Sequence, residues 1–202
     1  MSLAQMAQSM FAGGGGGSGG SSNSTKMQNS ATEIDDAIDD AIAASSLSTI
    51  KSALTPTNTY FADLDEAIHD IVGGYGTIAE QAASIMWLKD CSLFSACSEE
   101  LEELAQISGQ VGWVEFSNIG ADIQVLFGAV QAANMLATIG ENNIVSGGDQ
   151  TTAINAIHDL LNSEDVDDAR ANVVTRIGNL LTLMSSLNTK ISNTLVVFND
   201  FT

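Results

Sequence analysis

The sequence predicts an all-α protein: an elongated helical bundle of about six or seven helices with a long C-terminal coiled-coil-like helix. Four observations favour this fold class. Apolar residues recur at spacings of three and four along most of the chain, hardly any segment alternates with period two, and Pro56 is the single proline. The last stretch, residues 163–198, carries an apolar seam at the heptad spacing typical of a coiled coil.

Two segments before residue 31 are predicted to lie outside the folded domain. Residues 13–30 form a flexible Gly/Ser linker, because the glycine run at 13–17 raises chain entropy and offers nothing apolar to bury. Residues 1–12 form a short amphipathic segment with apolar side chains on one helical face: Leu3, Met6, Met10 and Phe11. We therefore expect the helical bundle domain to span residues 31–202.

The first helices of that domain are predicted from their caps and stripes. Thr32 is the expected N-cap of a helix over 32–44, with isoleucines on one face and aspartates on the other. Residues 45–54 continue or restart this helix until Pro56. A second helix over 58–72, capped by its first residue, is expected to stop at a glycine cluster: Gly73, Gly74 and Gly76.

Four further segments complete the middle of the chain. A third helix is predicted over 77–93 and a fourth over 98–107, with glutamates on its outer face. The fifth, over 117–139, is apolar over more than one stripe, which predicts a central and well-buried helix. Residues 140–148 are expected to form a loop, and 149–162 a sixth helix.

The terminal helix is predicted to supply the main contact surface. Its seam begins at Val173 and Ile177, and further leucines widen its apolar surface beyond a two-stranded zipper. Its neighbours could be helices of the same chain or a second copy. The interface residues predicted on it are Leu180, Met184, Leu187, Ile191, Leu195 and Phe198, and those on the N-terminal segment are Leu3, Met6, Met10 and Phe11.

The charge balance excludes some partners. The chain has 25 acidic and 6 basic residues, for a formal net charge of −19. A nucleic acid or an anionic membrane needs a basic surface, so neither is an expected partner. No cleavable signal peptide is recognised, and no unbroken run of 18 apolar residues occurs, so no membrane span is predicted.

No pattern in the sequence predicts catalysis, a cofactor or a metal centre. Asp65 and His69 have the i, i+4 spacing that can supply two metal ligands, but solvated surface histidines are the favoured interpretation of both histidines. Cys91 and Cys97 fit no zinc signature, and the sequence leaves open whether they form a disulfide. We therefore expect a protein that is not an enzyme and needs no cofactor.

Two functional hypotheses remain. The first is a structural, self-assembling protein, such as a secreted filament or virion subunit, at an extracellular or virion-associated location. Its composition, low in Lys, Pro, Cys and aromatic residues, is similar to that of flagellin-like and type III secretion filament proteins, a likeness of composition rather than of any motif. The alternative is a helical binding module whose groove accepts an amphipathic helix, tethered here in cis as residues 1–12. Beside these two, the sequence leaves open a halophile or phage protein with a purely connective role, which predicts a marked dependence of stability on salt.

Overall fold

The protein is all-α throughout the part of the chain that its computed structural model describes, which comprises residues 19–85, 102, 103, 106, 116–145 and 149–199. No strand occurs among these residues, so the predicted fold class is confirmed at that level. The residues 102, 103 and 106 are the described part of the predicted fourth helix and are helical. Cys91, Cys97 and residues 1–12 lie outside the described residues.

Six helices are defined in this part of the chain. Four of them are long, with 25 to 36 residues, and two are short, with 8 and 11 residues. They are α1 (Gly19–Ala43), α2 (Leu47–Leu54), α3 (Thr57–Ile85), α4 (Phe116–Val145), α5 (Thr151–Leu161) and α6 (Glu164–Asn199).

Helix α1 begins earlier than the sequence pattern predicts. Residues 19–30 belong to the range interpreted as a linker, yet they are helical, and the side chain of Met27 is fully buried. Met27 lies on the same face as Ala31, Ile34 and Ile38, so the apolar stripe extends back into the polar segment. Thr32 is therefore not an N-cap: it lies inside the helix, and its Oγ1 donates a hydrogen bond to the carbonyl of Gln28 at 3.0 Å.

Helix α3 joins two segments that were predicted to be separate. The glycine cluster after Val72 does not end the helix, which continues to Ile85. A glycine costs an α-helix only about 1 kcal/mol relative to alanine, and tertiary packing can offset that cost. Phe61, Leu64 and Ile68 are buried along the first half of α3, as the stripe predicted.

Helix α2 is a restart of the chain after α1 rather than its continuation. Ser46 is the N-cap: its extended backbone interrupts the helix, and its Oγ accepts a hydrogen bond from the backbone N–H of Thr49 at 3.2 Å. Pro56 separates α2 from α3, and its carbonyl accepts from the backbone of Thr59 at 3.0 Å. Helices α5 and α6 begin and end within two residues of the predicted bounds.

The chain folds as two compact units. The core unit consists of Lys26–Glu66 and Asn118–Ile177, and the described residues of the other unit are 19–25, 67–85, 102, 103, 106, 116–117 and 178–199. Many side chains of the core unit are buried, and those with no exposed surface include Ile38, Ile50, Leu54, Leu64, Ile119, Val130 and Ile157. The surface considered below belongs entirely to the core unit.

Three pairs of long helices in the core unit run antiparallel. Between α3 and α4, Asn58 accepts a hydrogen bond from Gln131, whereas Phe61 packs edge-on against Phe127, with centroids 5.4 Å apart and planes at 89°. Residue numbers rise along one helix and fall along the other, which defines the antiparallel direction. The same relation holds between α4 and α6 and between α6 and α1, as the ion pairs described below indicate.

Helix α4 also extends further than predicted, through residues 140–145 of the expected 140–148 loop. Gly140 lies inside the helix and is buried, and a Cβ placed there would lie 2.6 Å from Leu47 Cδ1 and 2.7 Å from Ala153 Cβ. The glycine therefore allows α2 and α5 to pack directly on the α4 backbone. It serves as a packing position rather than as a helix terminator.

Candidate interaction surface

Helix α4 has one face that packs inside the core unit. Its buried side chains recur at spacings of three and four, as expected of a helix lying on a core. They include Ile119, Leu126, Ala129, Val130, Ala133 and Ala137. This inward face confirms part of the prediction that α4 is a buried helix.

The opposite face of α4 is apolar as well, and it is exposed. The exposed fraction there is 65% for Met135, 53% for Ile139 and 42% for Val125, whereas Phe127, 43% exposed, lies on the flank of α4 that packs against Phe61 of α3. The prediction of a central helix, buried on more than one side, is therefore wrong for this face. Single exposed apolar side chains are common on protein surfaces, but a cluster along one helix is typical of an interaction site.

The outward apolar residues follow a heptad. We call this set the outward seam, and its members are Ala121, Val125, Gly128, Ala132, Met135 and Ile139. Successive members are four, three, four, three and four residues apart, which is the heptad spacing. All are exposed except Ala132, which is half-buried. The sequence shows the heptad spacing of these residues but did not lead to this site. Because apolar residues occur on every side of the helix, the pattern predicted that the helix is buried all round.

The charged groups of α4 are turned to neighbouring helices rather than to the outward seam. Asp122 accepts a hydrogen bond from Arg176 Nε on α6 at 2.6 Å, and its side chain is only 16% exposed. Glu141 lies 2.7 Å from Lys51 Nζ on α2. These two are the only charged residues of α4, so the outward seam carries no charge.

This helix is also the one, among the described residues, whose length and composition would allow it to cross a membrane. The stretch Ser117–Asn143 has a mean hydropathy of 1.4, although the sequence analysis predicted no span. The core helix of a globular protein meets the same criterion, but such a helix is mostly buried and only 33% of the most apolar window is buried here. Helix α4 does pack its inward face on a core, and both of its carboxylates are held in ion pairs.

Each of the five basic side chains in the described part of the chain takes part in an ion pair. Lys26 on α1 binds two carboxylates of α3. The hydrogen bonds to them raise the pKa of Lys26, and the bond to Glu66 makes the largest contribution. The complete set is Lys26 with Asp63 and Glu66, Lys51 with Glu141, Arg170 with Asp35 and Asp39, Arg176 with Asp122, and Lys190 with Glu103.

Arg170 is the most buried of these cations, with 16% of its side chain exposed. Its Nε lies 2.5 Å from Asp35 Oδ1 and its Nη2 lies 2.6 Å from Asp39 Oδ1. Burial lowers the pKa of Arg170, but hydrogen bonds to the two aspartates outweigh this and leave the pKa raised. The adjacent pocket, bordered by Leu126 and Val173, encloses about 10 Å³, which holds at most one water and no larger ligand.

The two histidines occupy different environments. His69 and Asp65 are both exposed on α3, and no group of three or more potential metal ligands occurs among the residues that the structure describes. His158 is half-buried, and its Nε2 lies 3.2 Å from the carbonyl oxygen of Ala44. Because a carbonyl only accepts, this contact requires a protonated Nε2, and it joins α5 to the end of α1.

Of the interface residues predicted on the terminal helix, Leu180 is the one whose side chain the structure describes. Leu180 is fully buried within the chain, so it belongs to the protein's own core instead of a surface open to a partner. The others on α6 are in helical backbone, but their side chains lie outside the described part: Met184, Leu187, Ile191, Leu195 and Phe198. Leu3, Met6, Met10 and Phe11 are outside it altogether. Their contacts stay predictions.

Comparison with protein-family models gave no match, and comparisons with curated proteins and with solved structures gave no significant match.

Proposed function

We propose that this protein is a non-enzymatic, self-assembling structural protein built as a helical bundle, of the kind that forms filaments or virions. The observation that carries the proposal is the exposed apolar face of α4. Met135, Ile139 and Val125 are each more than two-fifths exposed on this face, in a strongly acidic chain. Contiguous apolar surface of this kind favours association with another apolar surface.

The arrangement of the core unit supports a scaffold role. Ion pairs and an aromatic contact link α1, α3, α4 and α6 to antiparallel neighbours, which is the geometry expected of an up-and-down bundle. The heptad of α6 would then be used mainly inside the chain, because Val173, Ile177 and Leu180 are buried there. A coiled-coil-like α6 would serve as the spine of each subunit, and α4 would present the contact surface.

Sedimentation velocity over a wide range of protein concentrations tests the proposal. We expect the mean sedimentation coefficient to rise with concentration, and to rise more at moderate salt, because salt screens the repulsion between copies of charge −19. A single monomeric species at every concentration and salt level would count against self-assembly.

A second function is favoured by the same surface. An amphipathic helix could lie along α4, as in a binding module, and residues 1–12 are the candidate ligand in cis. This alternative predicts a monomer that loses stability when residues 1–22 are deleted. Self-assembly predicts that the deletion leaves concentration-dependent sedimentation in place, so the two functions give opposite results with one variant.

A further inference from the structure

We propose that two copies of this chain associate through the outward seam of α4, with the two α4 helices antiparallel about a twofold axis. The axis passes between Gly128 and Ala132. This proposal rests on the proposed self-assembly and adds the surface, the orientation and the register.

The sizes of the seam residues are complementary only in the antiparallel direction. About an axis at the middle of the seam, Ala121 faces Ile139 of the second copy, and Val125 faces Met135. Gly128 faces Ala132 at the centre, where two small residues let the backbones approach closely. Away from the centre a larger side chain thus meets a smaller one at each level, which is how interdigitating layers pack.

A parallel pairing of the same seam would be poorly packed. Each residue would then face its own equivalent, so Met135 would meet Met135 and Ile139 would meet Ile139 at one end. At the other end Gly128 and Ala121 would meet their equivalents and leave a gap. An isologous antiparallel contact uses the same patch on both copies and closes on itself, so it yields a dimer.

Charge favours a second copy at this face. Two copies of net charge −19 repel each other wherever carboxylates meet, and the outward seam has none. The polar residues beside it on the exposed side of α4 are neutral, namely Gln124, Thr138 and Asn142. Asp122 and Glu141 are held by cations of neighbouring helices, so the seam is where a like-charged partner can approach at least cost.

The size of the surface predicts a weak dimer. From Ala121 to Ile139 the seam is about 27 Å long at 1.5 Å per residue. One helix pair of that length buries less than the roughly 1,200–2,000 Å² of a stable complex. We therefore expect a reversible dimer that is populated at high protein concentration.

Cross-linking of single-cysteine chains tests the orientation. In a background with Cys91→Ala and Cys97→Ala, one chain carries Ala121→Cys and another carries Ile139→Cys. A short bis-maleimide should join the two chains when they are mixed, because these positions face each other. Neither chain alone should cross-link, because equivalent positions lie about 27 Å apart across the axis.

The pattern of products is decisive. Cross-linking of each chain with itself in the unmixed samples would show a parallel pair and overturn the proposed orientation. No cross-linking in any sample, from a protein whose sedimentation still depends on concentration, would overturn the α4 surface and leave self-assembly standing. If sedimentation showed only a monomer, both the α4 surface and self-assembly would be overturned.

A charge introduced into the seam tests the surface independently of cysteine chemistry. Met135→Glu should weaken the dimer at least about tenfold, because the contact would bury two carboxylates. The matched control is Val174→Glu on α6, which adds the same charge at an apolar side chain of similar exposure, 59% against 65%. Equal effects of the two variants would overturn the proposal.

The same pair of variants separates the second copy from a lipid surface. Wild-type protein should stay in the supernatant when mixed with neutral phosphatidylcholine vesicles and sedimented. Binding to the vesicles that Met135→Glu abolishes and Val174→Glu leaves intact would identify lipid as the occupant of the seam and overturn the dimer.

Discussion

Gly140 on α4 and Ala153 on α5 are so close that a Cβ on the glycine would lie 2.7 Å from the alanine Cβ, with Leu47 equally near. Gly140→Ala should therefore destabilise the protein. Helices α5 and α2 would have to move, at a cost of about 1–3 kcal/mol for overpacking, reduced by up to about 1 kcal/mol from the better helix propensity of alanine. Urea unfolding followed by circular dichroism measures the difference.

Gly120→Ala is the matched control for that experiment. It lies on the same helix, and a Cβ there meets nothing within 4 Å. This variant should be more stable than the wild type by roughly 0.5–1 kcal/mol. Equal effects of the two substitutions would contradict the close packing of α4 with α2 and α5.

Arg170→Met should destabilise the core unit by about 1–3 kcal/mol. The change keeps much of the apolar stem but leaves Asp35 and Asp39 near each other without the cation that their carboxylates bind. Thermal unfolding at low salt measures the loss, and added salt should recover part of it by screening the two aspartates.

Neutralising each aspartate gives an internal comparison for Arg170. Asp35 is 41% exposed and Asp39 is 63% exposed, so water screens the second ion pair more strongly. Asp35→Asn should therefore cost more stability than Asp39→Asn. The reverse order would show that Asp39 is the main partner of Arg170.

The start of α5 should be sensitive to acid through Asp149. The backbone N–H of Thr151 donates to Asp149 Oδ1 at 3.0 Å, and Thr151 Oγ1 donates at 2.8 Å. These hydrogen bonds hold the pKa of Asp149 below its ordinary 3.8, and the bond from the backbone N–H makes the largest contribution. The folded state therefore gains stability above that pH and loses this gain as the pH falls through the lowered pKa.

The variant Asp149→Ala isolates that contribution from those of the other carboxylates. It should be less stable than the wild type at neutral pH, and the difference should shrink as the pH falls below 3.8. Asp149→Asn retains an uncharged acceptor, so its stability difference from the alanine variant should vary little with pH. A wild-type to alanine difference that is constant with pH would contradict the lowered pKa.

Salt should stabilise the folded chain. The net charge of −19 makes self-repulsion the dominant long-range interaction, and screening relieves it more than it weakens the few ion pairs. The unfolding midpoint should rise with sodium chloride concentration at neutral pH. The effect should vanish near the sequence pI of about 4.1, where the net charge is small. A flat response at neutral pH would argue against dominant repulsion.

Helical periodicity predicted the fold class and much of the inward face, because burial follows the apolar stripe directly. Ile34, Ile38 and Leu64 are buried, as their spacing required. The bounds of α1 and α3 were less predictable. Met27 extends α1 through a polar segment, and the glycines after Val72 are tolerated in α3, since long-range packing rather than local propensity decides both.

The interaction surface could be predicted only in part. The heptad that contains Val125, Met135 and Ile139 is visible in the sequence, but periodicity does not distinguish a seam that meets the same chain from one that meets solvent. Leu180 shows the same ambiguity from the other side. Its heptad position left open a contact with the same chain or with a second copy, and the side chain is buried within the chain.

The pairing of each described cation with carboxylates of the same chain has a consequence for any ordered array of copies. The excess of 19 negative charges must be balanced by small ions held in the solvent between subunits, about 19 monovalent cations for every copy added. Such an array would act as an ion-exchange gel. It should swell osmotically when the surrounding salt is diluted and contract when divalent cations replace monovalent ones.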